Sequence, residues 1–138
     1  MLNEGTLVRL VFAILLIAAF VGTYRAATAL VLSRARKKGR GLLAFTPGTP
    51  GVVFFTTPDC VTCKAAQRPA LAELADRLTG NVQVIEVDAL DNAALAREWS
   101  VLSVPTTFVL DRNGTPRQVN HGYASTEKLI GQIVALGT

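Results

Sequence analysis

The sequence predicts an α/β fold, a central mixed sheet flanked by helices, preceded by one N-terminal transmembrane helix. Three observations lead there. An apolar run without charge, LVFAILLIAAFVGTY, fills Leu10–Tyr24. After it, short β-branched and aromatic runs alternate with stretches of helical periodicity, in the order β, α, β, α, β, β, α. The only two cysteines, Cys60 and Cys63, stand three positions apart in TTPDCVTCK, where a strand gives way to a helix.

Half of the 138 residues are apolar, which is high for a soluble chain of this size and points to a membrane segment. Adding Leu7 and Val8, with Arg9 snorkelling toward the headgroups, brings the run close to the roughly 20 residues that cross a bilayer. A longer register reaches Leu32 if Arg25 also snorkels, so membrane contact is assigned to residues 7–32. Ala27-Thr28-Ala29 resembles a signal-peptide cleavage site. The basic cluster SRARKKGR, however, follows the apolar run instead of preceding it, which favours an uncleaved anchor. By the positive-inside rule that cluster puts the downstream chain in the cytoplasm, with an extracytoplasmic domain as the alternative.

Charge divides the chain in the same place. Residues 1–40 carry a net +6, and residues 41–138 a net −2. Phosphate binding needs cations on the binding domain itself, so nucleic acid is excluded as a partner. The organisation expected is an anchor with a basic juxtamembrane segment (1–40), a linker (41–51) and a globular domain (52–138). The linker region, GRGLLAFTPGTPG, is rich in Gly and Pro; its one apolar run, Leu42–Phe45, has the composition of a short first strand.

Within the domain, VVFFT (Val52–Thr56) suits a buried strand. After the cysteines comes a helix with Ala65, Ala66, Leu71, Leu74, Ala75 and Leu78 on one side. Pro69 falls inside it and should kink it, and Gly80-Asn81 ends it. Val82–Val87 is the second strand. Asp91 or Asn92 then caps a short helix running to Trp99. Thr106–Leu110 is the third strand, Asp111-Arg112-Asn113-Gly114 a hairpin turn, and Pro116–Asn120 the fourth strand. Ser125 caps a last helix whose apolar face is Leu129, Ile130, Ile133 and Val134.

A disulfide that stabilises a fold gains most from closing a long loop. Cys60 and Cys63 close a very short one, so their spacing points to chemistry at sulfur. The stretches VVFFTTPDCVTCK, VIEVDALDNAALAREWSVLSVPTTFVLDRNG and HGYASTEKLIGQI together resemble the thioredoxin family over nearly all of residues 52–136. The combination is more specific than CxxC alone: the motif sits between strand and helix, with Val-Pro-Thr some 40 residues later. The resemblance implies a membrane-tethered thiol–disulfide oxidoreductase acting on protein disulfides, with a second redox protein to donate or accept electrons. No bound cofactor is implied, because the cysteine pair is itself the redox couple.

Cys60, just ahead of a helix N-terminus, is the expected nucleophile, since unsatisfied N–H groups and the helix dipole favour a thiolate there. Cys63, on the first turn, is the expected resolving thiol. Pro105 resembles the family's cis-proline, which places Val104, Pro105 and Thr106 as the edge that meets substrate. Asp59 should oppose thiolate formation at Cys60, and Lys64 should favour it near Cys63.

The chain also departs from the family. Asp59-Cys60-Val61-Thr62-Cys63 replaces the usual Trp-Cys-Gly-Pro-Cys. Phe54 stands where many members bury an aspartate and Val84 where a lysine often pairs with it. The helix proline comes one residue late. Three other readings compete with this one. Cys60, Cys63 and His121 fall short of the four ligands of a closed zinc site. Thr57 has peroxidase-like spacing to Cys60, but Val53 occupies the place of an expected proline. A non-catalytic thioredoxin-fold binding module or adaptor at the membrane is the remaining alternative.

Overall fold

The computed structural model describes residues 4–38 and 44–137. The chain forms two compact units, Met1–Val31 and Leu32–Thr138.

Helix α1 runs over Glu4–Lys38. From Leu7 to Leu30 its large apolar side chains, Phe12, Ile14, Leu16 and Phe20 among them, are exposed. A helix apolar all round needs a non-aqueous partner, and this one is long and apolar enough to cross a membrane. At 1.5 Å per residue its 35 residues extend about 52 Å, well beyond the roughly 30 Å of a hydrocarbon core. The basic stretch that the sequence suggests as a separate juxtamembrane segment therefore begins inside the helix. Arg34 and Arg36 occupy its last turns, where cations complement the helix dipole. Arg40 lies outside the described residues.

The second unit carries a four-stranded sheet in the order β2-β1-β3-β4. The strands are β1 (Gly51–Thr56), β2 (Gln83–Asp88), β3 (Thr106–Leu110) and β4 (Pro116–His121). Strand β1 pairs parallel with β2, from Gly51↔Gln83 to Thr56↔Asp88. It pairs antiparallel with β3, from Gly51↔Leu110 to Phe55↔Thr106. A register irregularity at Val109/Leu110 sets Pro116 opposite Leu110 on edge strand β4, where a residue without an N–H is tolerated.

Alternation sends the apolar residues of β1 to both faces. Val52 and Phe54 join Cys63, Leu71, Leu74, Val109, Leu129 and Ile133 in a core beneath α2 (Arg68–Arg77) and α4 (Thr126–Val134). On the other face, Phe55 and Phe108 meet Trp99 at ring-centroid distances of 5.8 and 4.9 Å, where α3 (Ala93–Glu98) ends. Trp99 is fully buried, and its Nε1 has no hydrogen-bond partner. That orphan donor costs about 1–3 kcal/mol. Edge-to-face ring contacts, worth about 0.5–1.5 kcal/mol beyond area burial, help to offset it.

Local structure corrects several sequence expectations. Pro69 does not kink a continuous α-helix. A π-helical turn, Cys63–Gln67, precedes it, with the Arg68 N–H bonded to Cys63 O five residues back, and Pro69 falls in the first turn of α2. That position needs no intrahelical N–H. Gln67, four residues after Cys63, is buried on the same face, whereas Ala65 faces solvent. Asn92 stands at the N-cap of α3, but its side chain gives no cap bond and donates instead to Asp88 O at 3.1 Å. Ser125 does cap α4, accepting the Lys128 N–H at 3.3 Å.

The strand expected over Leu42–Phe45 does not form at Ala44 and Phe45, and Leu42 and Leu43 lie outside the described residues. Thr46–Gly48 is instead fastened to the domain. Gln83 Nε2 donates to Thr46 O at 2.6 Å and Thr49 O at 2.8 Å, its Oε1 accepts the Thr46 N–H, and the Gly48 N–H reaches Arg112 O. The Phe45 ring fills a notch between Gly51 and Gly114, where added Cβ atoms would lie 3.2 and 3.0 Å from it.

Asp111 organises the β3–β4 hairpin. Its Oδ1 accepts the N–H groups of Asn113 and Thr115, each at 2.9 Å, and its Oδ2 accepts Arg117 Nε at 2.7 Å. Burial works to raise the Asp111 carboxyl, but the bonds from Thr115, Arg117 and Asn113 and the Arg117 charge outweigh it and hold it below the ordinary aspartate value. A lowered carboxyl contributes stability above the unfolded-chain value, near 3.9, and loses it as pH falls through the folded value. Asp111→Ala is expected to cost about 1–3 kcal/mol at neutral pH. Denaturant melts of the two proteins should converge as pH drops below about 4; an undiminished gap there would assign the loss to packing.

Candidate active site

The register brings four chain ends to one pole of the sheet. Thr56 lies opposite Asp88, Phe55 opposite Thr106, and Thr106 opposite His121. The loops after β1, β2 and β4 and the loop before β3 therefore meet there. Cys60 and Cys63 occupy the first of these, joined as a disulfide with their Cα atoms 5.2 Å apart.

The strand-to-helix transition gives the two sulfurs different surroundings. The Cys60 N–H bonds Thr57 O at 3.2 Å, and helical backbone begins at Val61. Cys60 Sγ accepts the Cys63 N–H at 3.2 Å. Such a donor, at the positive end of a helix, favours negative charge on Sγ. Cys60 is partly exposed, whereas Cys63 is 0 % exposed and belongs to the apolar core. Asp59 and Lys64, which flank the motif, are both exposed.

Val104, Pro105 and Thr106 lie at the same pole. The Val104–Pro105 peptide bond is cis. Val104 is partly buried and packs on the same apolar cluster as Cys60. The Pro105 carbonyl accepts the Gly122 N–H at 2.8 Å. Thr106 is fully buried, and its hydroxyl donates to Ser103 O at 2.7 Å.

Under the disulfide, Phe54 is 0 % exposed within the cluster that holds Cys63, so β1 presents no carboxylate to that thiol. Val84, paired with Val52, is partly exposed at 38 %. His121 is exposed on β4, and no group of three or more His, Cys, Asp or Glu side chains is placed to hold a metal ion among the described residues. The rim is apolar: Val61, Leu90, Leu102 and Tyr123 are all exposed, Leu102 at 92 %. A groove of about 320 Å³ runs beside it between Thr57, Ala93, Arg97, Leu102 and Val104.

Sequence reasoning missed Gln67. It is fully buried in the π turn four residues after Cys63, and its amide is bonded to the backbone of Ala124. The signal available was the extra residue between Cys63 and Pro69.

A family model described as Thioredoxin matches residues 46–135. The chain is 28 % identical over 60 residues to a thioredoxin of Pyropia yezoensis, covering 44 % of this chain and 55 % of that protein. It is 34 % identical over 65 residues to a thioredoxin of Haemophilus influenzae, covering 47 % and 59 % respectively. The chain thus spans little more than half the length of these two curated relatives. Among solved structures, malaria-parasite thioredoxin-2 superimposes with a TM-score of 0.59 at 29 % identity, over 63 % of this chain and 82 % of that one.

Proposed function

Because this chain belongs to the thioredoxin family, we propose that it is a thiol–disulfide oxidoreductase that α1 holds at a membrane. The observation that carries this reading is the inequality of the two cysteines: Cys60 is partly exposed and its Sγ receives a backbone N–H, while Cys63 is sealed in the core. The Cys60 thiolate attacks one sulfur of a protein disulfide, forming a mixed disulfide and expelling the other sulfur as a thiolate. The Cys63 thiolate then attacks Cys60 Sγ and releases the second substrate thiol. Two electrons and two protons pass from the dithiol to the substrate, and Cys60–Cys63 is left oxidised. A second redox protein returns electrons, or takes them when the cycle runs in reverse. The pair is the redox couple, so no cofactor takes part.

Val104, Pro105 and Thr106 are the edge proposed to receive the substrate chain, supported by the pairing of Thr106 with Phe55 and by the packing of Val104 on the cluster that Cys60 also meets. Phe54 leaves the buried thiol without a neighbouring carboxylate on β1, so the proton of Cys63 moves through water or another group. Asp59 works against the Cys60 thiolate by charge repulsion and Lys64 supports it near Cys63, both weakened by solvent screening.

Cys63→Ser is expected to accumulate mixed disulfides through Cys60, visible on non-reducing gels. Trapping by Cys60→Ser alone would reverse the two roles, and trapping by neither would make the chain a binding module without exchange activity. Asp59→Asn is expected to raise the thiolate fraction of the reduced protein at neutral pH. Thiolate absorbance followed against pH reads this directly, and an unchanged titration would remove Asp59 from the site.

Orientation follows the Lys and Arg residues near the span. Arg34, Arg36, Lys37, Lys38 and Arg40 follow the apolar run, against Arg9 and Glu4 before it. We place the domain in the cytoplasm, where reducing conditions hold the pair mainly as thiols and make it a reductant. A phosphatase reporter active only outside the membrane, fused after Thr138, should be silent. Strong activity would put the domain on the outer face instead.

A further inference from the structure

Gln67 is the one fully buried amide on the helix that carries the cysteines. Its Nε2 donates to Ala124 O at 3.1 Å, and its Oε1 accepts the Ala124 N–H at 2.9 Å. One side chain thus satisfies both polar groups of a residue that is itself 0 % exposed and shares the core cluster with Cys63. Ala124 belongs to the irregular segment between β4 and α4, and two residues before it the Gly122 N–H bonds Pro105 O at 2.8 Å. A continuous path therefore runs from the Cys63 turn through the Gln67 amide and Ala124 to Gly122 and the Pro105 carbonyl. It joins the element that holds the disulfide to the edge across from it.

The path starts in the π turn. Cys63 and Gln67, four residues apart, share its buried side, and α2 resumes only at Arg68. π turns inside helices often mark functional positions. A role confined to stability is already met by other groups, since Thr126 Oγ1 bonds Ala70 O and Glu73 and thereby ties α4 to α2 nearby.

We propose that Gln67 is a positioning residue: it sets the spacing between the Cys60–Cys63 disulfide and the Val104–Thr106 edge, and so governs how a polypeptide disulfide is seated. This rests on the exchange activity proposed above. A small disulfide, which touches the sulfurs alone, does not need that spacing; an extended peptide does.

The test compares reduction of a small aryl disulfide with that of a disulfide-linked peptide, using the full chain in detergent. Wild-type turnover of the aryl disulfide reports on the exchange activity by itself. Gln67→Met keeps the volume and removes both bonds. It should raise KM for the peptide about tenfold while kcat/KM for the aryl disulfide stays within about twofold. Gln67→Glu supplies a second measurement that does not depend on the Met variant folding. A carboxylate there faces the Ala124 carbonyl, whereas the protonated acid donates to it as the amide does. The ratio of its peptide KM to that of wild type should therefore fall toward one as pH is lowered. Equal losses on both substrates, no loss on either, or a KM ratio indifferent to pH would overturn the proposal.

Discussion

Strand β1 is hydrogen-bonded along both edges and buried at all six of its residues. Everything at the active pole takes its position from that constraint. A strand paired on both sides cannot slip by one residue without sending Phe54 and Phe55 to the wrong faces, and each buried aromatic contributes about 1.5–3 kcal/mol. The end of β1 is therefore a fixed point from which Thr57–Cys60 departs. Strand β3, antiparallel to β1, delivers Pro105 to the same pole at the start of its run, and β4 delivers Gly122 at the end of its own.

The core on the α2/α4 side differs in kind from a purely apolar one. Phe54 and Val52 surround Cys63, yet Gln67, Thr107, Asn120 and Thr126 are buried on the same unit, and their side chains all have hydrogen-bond partners. Asn120 and Gln132 exchange two bonds at 2.9 Å between β4 and α4. None of these four residues titrates. The core that holds Cys63 thus includes polar groups, none of them ionisable: it accommodates bonded amides and hydroxyls but not a spare charge, since burying an unpaired charge is far costlier than burying a bonded amide.

Much of this was legible in the sequence, for identifiable reasons. The strands are short and strongly β-branched, the Asp111–Gly114 turn and the Ser125 cap are local motifs, and two cysteines at CxxC spacing define their own chemistry. What escaped was whatever depends on distant partners. Gln67 is buried because its amide finds the backbone of Ala124, 57 residues away. Asn92 is the local exception: its Nδ2 is held by the Asp88 carbonyl four residues back. Ala44 and Phe45, with a composition suited to a strand, became a strap because two glycines, Gly51 and Gly114, leave a notch of ring size. No local window contains both glycines.

That strap has a mechanical consequence. Arg36 Nε donates to Pro116 O at 2.8 Å, and from Ala44 onward the chain meets the Phe45 notch, then the Gln83 bonds, then β1, all at the end of the sheet away from the disulfide loop. Tension applied along the incoming chain would first break the Arg36 bond, then strip the strap, and then load β1 in shear, against two ladders of bonds at once. The cysteine loop hangs from the far end of that strand, outside the path of force, so pulling on the incoming chain would leave the geometry of the sulfurs undisturbed until the sheet itself began to fail.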